Sequence, residues 1–233
     1  MRARMVAASL TACLFGVGCS TTKQARSVTP AESGEAAILG DYGPLLQKGE
    51  GDEALLRYET PGVAWPDYTK AIVMPVKFEK SEKLQGDSLE DLQKLADASY
   101  VLLVGELGQV FEIVIEPDAN TLRVEAAFYG AQKKKTVLNV ISGVIPIGVG
   151  LNVIAVGLRG KPLSVGELSG EMKITDASSG GLLLAGVDRR VGRKYQSAEF
   201  SSWGEAYDAI DYWAKRSRFV LCRKKGMPDC KEP

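Results

Sequence analysis

Apolar side chains recur with a helical period in two stretches of the chain. In the first, Asp87 and Ser88 offer an N-cap, and leucine and alanine then repeat every three or four residues as far as Gly105. In the second, a capping box at 202–205 precedes an aromatic and aliphatic face that includes Trp213. These patterns predict two amphipathic helices, near 88–104 and 202–218, each packed on a sheet.

Apolar runs that are too short for helices predict the strands. The run 71–78 contains Pro75, which has no N–H to donate and so indicates an edge or a bulge.

Two hairpins are predicted from pairs of alternating segments. Residues 110–115 and 121–128 form the first, and 165–175 and 182–188 form the second, which turns at Asp176. Together with the helices, these segments predict an α+β fold. Its mixed or antiparallel sheet has about five strands and carries the two packed amphipathic helices.

The N-terminus has the order of an export signal. Arg2 and Arg4 precede an uncharged run over 5–18, which is too short for a permanent membrane span, and Cys19 follows. A cysteine after small residues is typical of a lipobox, in which the thiol receives a diacylglycerol and the new N-terminus a palmitate or similar chain. Gly16 stands where lipoboxes usually carry leucine. Plain secretion with cleavage nearby and an uncleaved anchor are the alternatives.

This interpretation divides the chain into three parts. Residues 1–18 are a lipoprotein signal peptide, 19–37 are a flexible tether because they are small and polar, and 38–233 are a single periplasmic α+β domain. Ser20 is not the aspartate that favours retention in the inner membrane. We therefore expect an outer-membrane lipoprotein that faces the periplasm.

Charge and composition exclude several classes of protein. The chain has 29 basic and 29 acidic residues, so loss of Arg2 and Arg4 with the signal leaves 27 against 29, a net charge of −2. This balance leaves no excess of positive charge that would indicate nucleic-acid binding. The absence of histidine excludes Ser-His-Asp and Cys-His catalysis and His-bearing metal sites, and no cofactor or metal is expected.

Four cysteines remain to be assigned. Cys13 lies in the signal and Cys19 is the lipidation site, which leaves Cys222 and Cys230 as a pair in an oxidising compartment. We predict a disulfide between them. A metal or redox pair is the competing interpretation, but neither the spacing nor a companion ligand favours it.

No charged residue occurs from Thr136 to Leu158. Pro146 and four glycines oppose a spanning helix, so a buried glycine-rich turn, an interface and membrane insertion all stay open as interpretations. The candidate contact patch in this segment comprises Val144, Ile145, Ile147, Val149 and Leu151.

A carboxylate pair is the remaining source of acid–base chemistry. Glu171 and Asp176 are separated by an odd number of positions on one strand, so their side chains face opposite ways. Asp176 is interpreted as a turn residue, and no catalytic residue is predicted. A carboxylate hydrolase is therefore disfavoured.

Several short motifs resemble one known family. They are the lipobox, Leu39-Gly40-Asp41-Tyr42, the strand entry at 68–76, Glu171 with the 176–180 turn, and Trp213. In this order they resemble the uncharacterised bacterial lipoprotein family known as domain of unknown function 3313. The resemblance implies a place in the Gram-negative envelope and brings no catalytic residue with it.

The function expected from the sequence is that of a non-enzymatic envelope lipoprotein. Its membrane contact is the lipid at Cys19, and its domain binds or scaffolds another envelope protein or a second copy of itself. The alternative is a pore or transport accessory subunit that inserts or oligomerises through 137–158.

Overall fold

The computed structural model describes residues 22–31, 36–79, 89–130, 139–141, 167–192 and 204–233. Its strands, in chain order, are β1 (Thr22–Gln24), β2 (Gln47–Lys48), β3 (Leu56–Glu59), β4 (Lys70–Val73), β5 (Lys77–Glu79), β6 (Glu112–Ile113), β7 (Thr121–Gly130), β8 (Asn139–Ile141), β9 (Glu167–Asp176) and β10 (Leu182–Gly192). The α-helices are α1 (Leu89–Leu107) and α2 (Gly204–Lys224), and short 3-10 helices span Gly40–Leu45 and Trp65–Asp67.

All ten described strands belong to one mixed sheet in the order β2-β3-β10-β9-β7-β4-β6. β1 adds to the edge of β10 beyond β3, and β5 joins β7 to β8. The pairs β4–β7, β5–β7 and β4–β6 are parallel, and the other pairs are antiparallel. The predicted α+β class is confirmed, but the strand number is larger than five. The added strands have only two to four residues and show no readable period.

Pro75 interrupts one of the strands that pair with β7. β4 and β5 lie on either side of it, and both run parallel to β7. The N–H of Met74 donates to Val124 O at 2.8 Å, which keeps the chain against the sheet across the break. The structure confirms the predicted irregularity at the proline, which cannot contribute a ladder bond.

The first predicted hairpin is wrong and the second is confirmed. β6 pairs with β4, and β4 lies between β6 and β7, so 110–115 and 121–128 are not neighbours. Two segments that are close in sequence are thus separated by an earlier strand. The β9–β10 hairpin turns with Gly180 at a φ of +72°, a conformation that glycine adopts without a steric penalty.

Both helices pack on one face of the sheet and confirm the predicted amphipathic pattern. Their buried leucines and isoleucine join Phe78 and Phe128 in the main core. The ring of Trp213 on α2 stacks on Phe128 at a centroid distance of 5.4 Å. Gly170 on β9 allows this close approach, since a Cβ there would lie 3.1–3.2 Å from both rings.

The N-terminal segment covers the other face of the sheet. Ile38 and Leu39 pack with Ala127, Ala185 and Val187 in a second, smaller core. The prediction of a flexible tether over 19–37 is therefore wrong for the part that the structure describes. The segment contains few apolar residues, and many of its contacts join backbone groups to strands a hundred or more residues away, which local sequence does not reveal.

Candidate functional site

The structure describes only some of the residues singled out from the sequence. Cys19 and the contact patch of Val144, Ile145, Ile147, Val149 and Leu151 lie outside the described residues, so these predictions stand as they were made. The predicted disulfide is present, with Cys222 and Cys230 at a Cα–Cα distance of 5.7 Å. It ties the end of α2 to the C-terminal residues. Among the described helices, none is long and apolar enough to cross a membrane.

Arg190 fixes the first described residue of the chain to the sheet. Its Nε donates to Thr22 Oγ1 at 2.7 Å, and Nη2 donates to Thr22 O at 3.2 Å. The guanidinium lies 3.5 Å from the centroid of the Tyr212 ring, so α2 covers the charge. Thr22 and Arg190 are 2% and 6% exposed, which shows that the beginning of β1 is part of the folded structure.

Asp188 links β1, β10 and α2 through one carboxylate. Oδ1 accepts a hydrogen bond from Gln24 Nε2 at 2.8 Å, and Oδ2 accepts one from Trp213 Nε1 at 2.8 Å. Arg190 Nη1 approaches Oδ2 at 3.8 Å. Both oxygens of this buried carboxylate are therefore satisfied, as a buried charge requires.

Glu171 lies under the N-terminal segment, in the middle of β9. Its Oε1 accepts a 2.6 Å hydrogen bond from the N–H of Ala31, while Oε2 has no partner in good geometry among the described residues. The hydroxyl of Tyr129 lies beside the carboxylate and donates to Thr29 O at 2.9 Å. Glu171 thus binds the N-terminal segment that starts with β1.

Burial sets the ionisation of Glu171. Removal from water raises the pKa of this carboxyl to about 7, although backbone N–H groups, led by that of Ala31, oppose the shift. The same burial, with the negative charge of Glu171 nearby, raises the pKa of the Tyr129 hydroxyl. A carboxylic acid with a pKa near neutrality is a known form of a general acid or base. Here the residue is 1% exposed and lies beneath the N-terminal segment.

Asp176 serves the β9–β10 turn. Its Oδ1 accepts hydrogen bonds from the N–H and hydroxyl groups of Ser178 and Ser179, and its Oδ2 accepts one from Tyr68. The Ser178 hydroxyl, followed by the Ser179 N–H, lowers the pKa of Asp176. Burial and the bond to Asp176 raise the pKa of Tyr68 to about 12.

Glu171 and Asp176 do not form a catalytic pair. Glu171 lies opposite Ala127 on β7, whereas Asp176 lies opposite Leu122, about 17 Å further along the strand. The sequence-based interpretation of Asp176 as a turn residue is correct. Of the described residues, no group of three or more Asp, Glu or Cys side chains converges in a way that would hold a metal ion.

A cavity of about 210 Å³ lies between α2 and the sheet. Most of its lining is apolar and includes Met172, Ile174 and Leu184. Charged residues of the β2–β3 loop, β3 and α2 also line the cavity, among them Glu53, Arg57 and Arg216. Pockets that combine an apolar wall with a few polar groups are the usual form of a small-molecule or side-chain binding site.

Two charged residues of β10 could have indicated this region from the sequence. Asp188 and Arg190 are two positions apart on β10 and face the helices, where an apolar side chain is the normal choice. Two charges on the core face of a strand indicate partners that satisfy them. The partners, Thr22, Gln24 and Trp213, could not be deduced because the pairing of β1 with β10 spans most of the chain.

These features define a mixed-sheet α+β domain with two helices on one face and its own N-terminal segment on the other. The chain belongs to the family described as protein of unknown function DUF3313, whose model matches residues 34–217. The resemblance inferred from the sequence motifs is therefore confirmed at the level of the family. No curated protein matches the chain.

Solved structures show only distant similarity. The PelC dodecamer from Paraburkholderia phytofirmans aligns with a TM-score of 0.35 and 11% identity, over 74% of this chain and 96% of that one. A PDZ domain protein from Parabacteroides distasonis aligns with a TM-score of 0.31 and 15% identity, over 75% of this chain. This chain covers 35% of that protein's length. Similarity at this level carries no functional argument.

Proposed function

We propose that the protein is an outer-membrane lipoprotein, anchored through Cys19, whose periplasmic domain binds or scaffolds another envelope component without catalysing a reaction. The observation that carries the proposal is the disulfide between Cys222 and Cys230. Disulfides form and persist in compartments such as the periplasm. The basic, apolar and small-residue order that ends at Cys19 supplies the corresponding export and lipidation signal.

The ionisable groups with shifted pKa values support a binding role. Glu171 is covered by the N-terminal segment, and Asp176 is saturated by its own turn. Each therefore has a structural task in the described fold. The absence of histidine from the sequence further narrows the chemistry available to an enzyme.

The cavity beside α2 supports the binding part of the proposal. Its apolar lining suits an apolar group of a partner or ligand, and the ion-paired Arg57 and Arg216 add polar groups to the same lining. The contact patch of 144–151 is a second proposed surface. Replacing Ile145 and Ile147 with aspartate tests that patch, and retention of all co-purifying partners by a folded variant would refute it.

Anchoring is tested by replacing Cys19. We expect the native protein to incorporate labelled palmitate and to fractionate with the outer membrane, and the Cys19→Ser variant to do neither. An equally membrane-bound Cys19→Ser variant would contradict the proposal. Envelope crosslinking with mass spectrometry of the native protein then identifies neighbours and the number of subunits.

The alternative is a pore or transport accessory that inserts or oligomerises through 137–158. Within that range, Asn139–Ile141 form β8 and pair with β5, so any insertion would involve the residues that follow. A single cysteine in place of Val149 distinguishes the two functions. Lipid protection of that thiol supports insertion, whereas labelling by a water-soluble reagent supports the scaffold.

A further inference from the structure

The beginning of β1 lies at one end of the sheet, together with the ends of the long strands. Thr22 pairs with Gly192, and Glu167 pairs with Val191, while Gly130 pairs with Leu168. We refer to the surface formed by Thr22, Gly130, Glu167 and Gly192 as the β1 end. Any attachment that enters the fold through Thr22 must therefore approach from this end.

The opposite surface, here the turn end, is formed by Asn120, Asp176 and Gly181. Leu122 pairs with Asp176, which places the start of β7 beside the β9–β10 turn. At about 3.3 Å per residue, β9 separates the two ends by about 30 Å. Lys225, just beyond α2, donates to Tyr68 O near the turn end, so the disulfide also lies on that side.

Only three residue steps separate Cys19 from Thr22. Even fully extended, these steps span about 11 Å. Thr22 cannot act as a flexible extension of this connection, because it is 2% exposed and is held by Arg190. We infer that the β1 end of the domain is a membrane-facing surface, held at the lipid headgroups, and that the turn end points into the periplasm. The inference rests on the proposed lipidation of Cys19.

The distribution of charge favours this upright orientation. The charged side chains near the β1 end carry both signs: Lys23, Arg26, Lys77 and Arg189 are basic, and Asp52, Glu53 and Glu79 are acidic. The turn end carries Asp67, Lys70, Glu112, Glu116, Asp118, Asp176 and Lys225. Acidic groups outnumber basic groups at the turn end, whereas neither sign dominates at the β1 end.

Anionic headgroups therefore repel the turn end more than the β1 end. The surface that we propose consists of the described strand ends alone. A short attachment and an electrostatic bias therefore act in the same direction.

Fluorophore quenching in reconstituted vesicles tests the orientation. A cysteine replaces exposed Lys23 at the β1 end, or exposed Ala119 at the turn end, in the full lipidated protein. The introduced thiol is labelled, because Cys19 is acylated and the other two cysteines form the disulfide. The vesicles contain phosphatidylethanolamine, phosphatidylglycerol and a headgroup-labelled quencher lipid. We expect several-fold stronger quenching at position 23 than at position 119.

Flotation of the same samples separates this inference from the proposed function. Vesicle-bound protein with equal quenching at both positions, or with stronger quenching at 119, overturns the orientation and leaves the anchor intact. Protein that does not float, with palmitate labelling also absent, overturns the anchor itself. Matched circular dichroism spectra of the two labelled proteins ensure that the comparison is made between folded variants.

A longer connection provides a second measurement. Insertion of about 20 Gly and Ser residues between Thr21 and Thr22 gives a linker with a root-mean-square length of about 25 Å. The extended protein should still float, but quenching at position 23 should fall several-fold. Unchanged quenching would overturn the assignment of the short connection as the element that holds the β1 end at the membrane.

Discussion

Trp213 Nε1 donates a 2.8 Å hydrogen bond to Asp188 Oδ2, and this bond connects α2 to the sheet at the place where β1 joins it. The other oxygen of Asp188 accepts from Gln24, so one buried carboxylate holds a helix and the N-terminal strand together. Loss of either donor leaves a desolvated oxygen without its partner. The pair is therefore a sensitive point for both the core and the attachment of β1.

Replacing Trp213 with phenylalanine should remove this bond while keeping an aromatic ring on Phe128. We expect the free energy of unfolding to fall by about 1–3 kcal/mol, because a buried charged acceptor loses a donor. Urea unfolding measures the change. A double-mutant cycle with Asp188→Asn isolates the pair, and strictly additive effects would show that the two residues are not coupled.

Gly170→Ala should disturb the stack of Phe128 and Trp213. The added Cβ would lie 3.1–3.2 Å from both rings, so one of them must move, at a cost of about 1–3 kcal/mol. Near-ultraviolet circular dichroism and urea unfolding report on the packing and the stability. Gly43→Ala is the control, because no atom lies within 4 Å of its new Cβ. Equal losses in both variants would contradict the packing argument.

Glu171 should make stability depend on pH. Its pKa of about 7 in the folded protein exceeds the ordinary value of 4.5, so the folded state binds more protons than the unfolded chain between these values. The stabilisation is complete below about pH 4.5 and is lost as the pH rises to about 7, with a change of about 3 kcal/mol at most.

Glu171→Gln should flatten that part of the profile, since glutamine does not titrate. Urea unfolding from pH 4.5 to pH 8 measures it. Glu125→Gln is the control, because Glu125 lies on the same face of the sheet, is 23% exposed and is paired with Lys173. A slope that survives in Glu171→Gln would assign the pH dependence to another group.

The disulfide should stabilise the C-terminal end of α2. Replacing both Cys222 and Cys230 with serine opens a short loop, and we expect a loss of about 2–3 kcal/mol. Unfolding of the native protein with and without reductant provides the matching measurement. If reduction leaves the stability unchanged, the bridge does not contribute in this way.

Local sequence was sufficient for the parts of the fold whose signals are local. The periodic leucines predicted α1, the aromatic face predicted α2, and Asp176 with its serines and glycines predicted the β9–β10 turn. The predicted caps at 87–88 and 202–203 lie outside the described residues. The assignment of Cys13 and Cys19 to the N-terminal signal, together with the expected oxidising compartment, predicted the cysteine pair. Each of these features depends on side chains that are close to one another along the chain.

The candidate site was only partly predictable. The candidate sites predicted from the sequence were the lipidation site Cys19 and the contact patch in the uncharged segment. Glu171 was considered only as one member of a disfavoured carboxylate pair. It did not reveal that Ala31 covers Glu171 or that α2 and the sheet enclose a cavity. The contact of Ala31 with Glu171 spans 140 residues of sequence, and the cavity is enclosed by segments from several separate parts of the chain.

The sequence by itself determined the helices, the long hairpin, the disulfide and the family. Only the tertiary structure decided that β4 separates β6 from β7. It also decided that the described part of the polar N-terminal segment forms β1 and covers Glu171 on the sheet. The physical reason is the same in both cases. Strand pairing is made by backbone groups that every residue carries, so partners distant in sequence leave no local pattern, whereas caps, turns and amphipathic faces are encoded by neighbouring side chains.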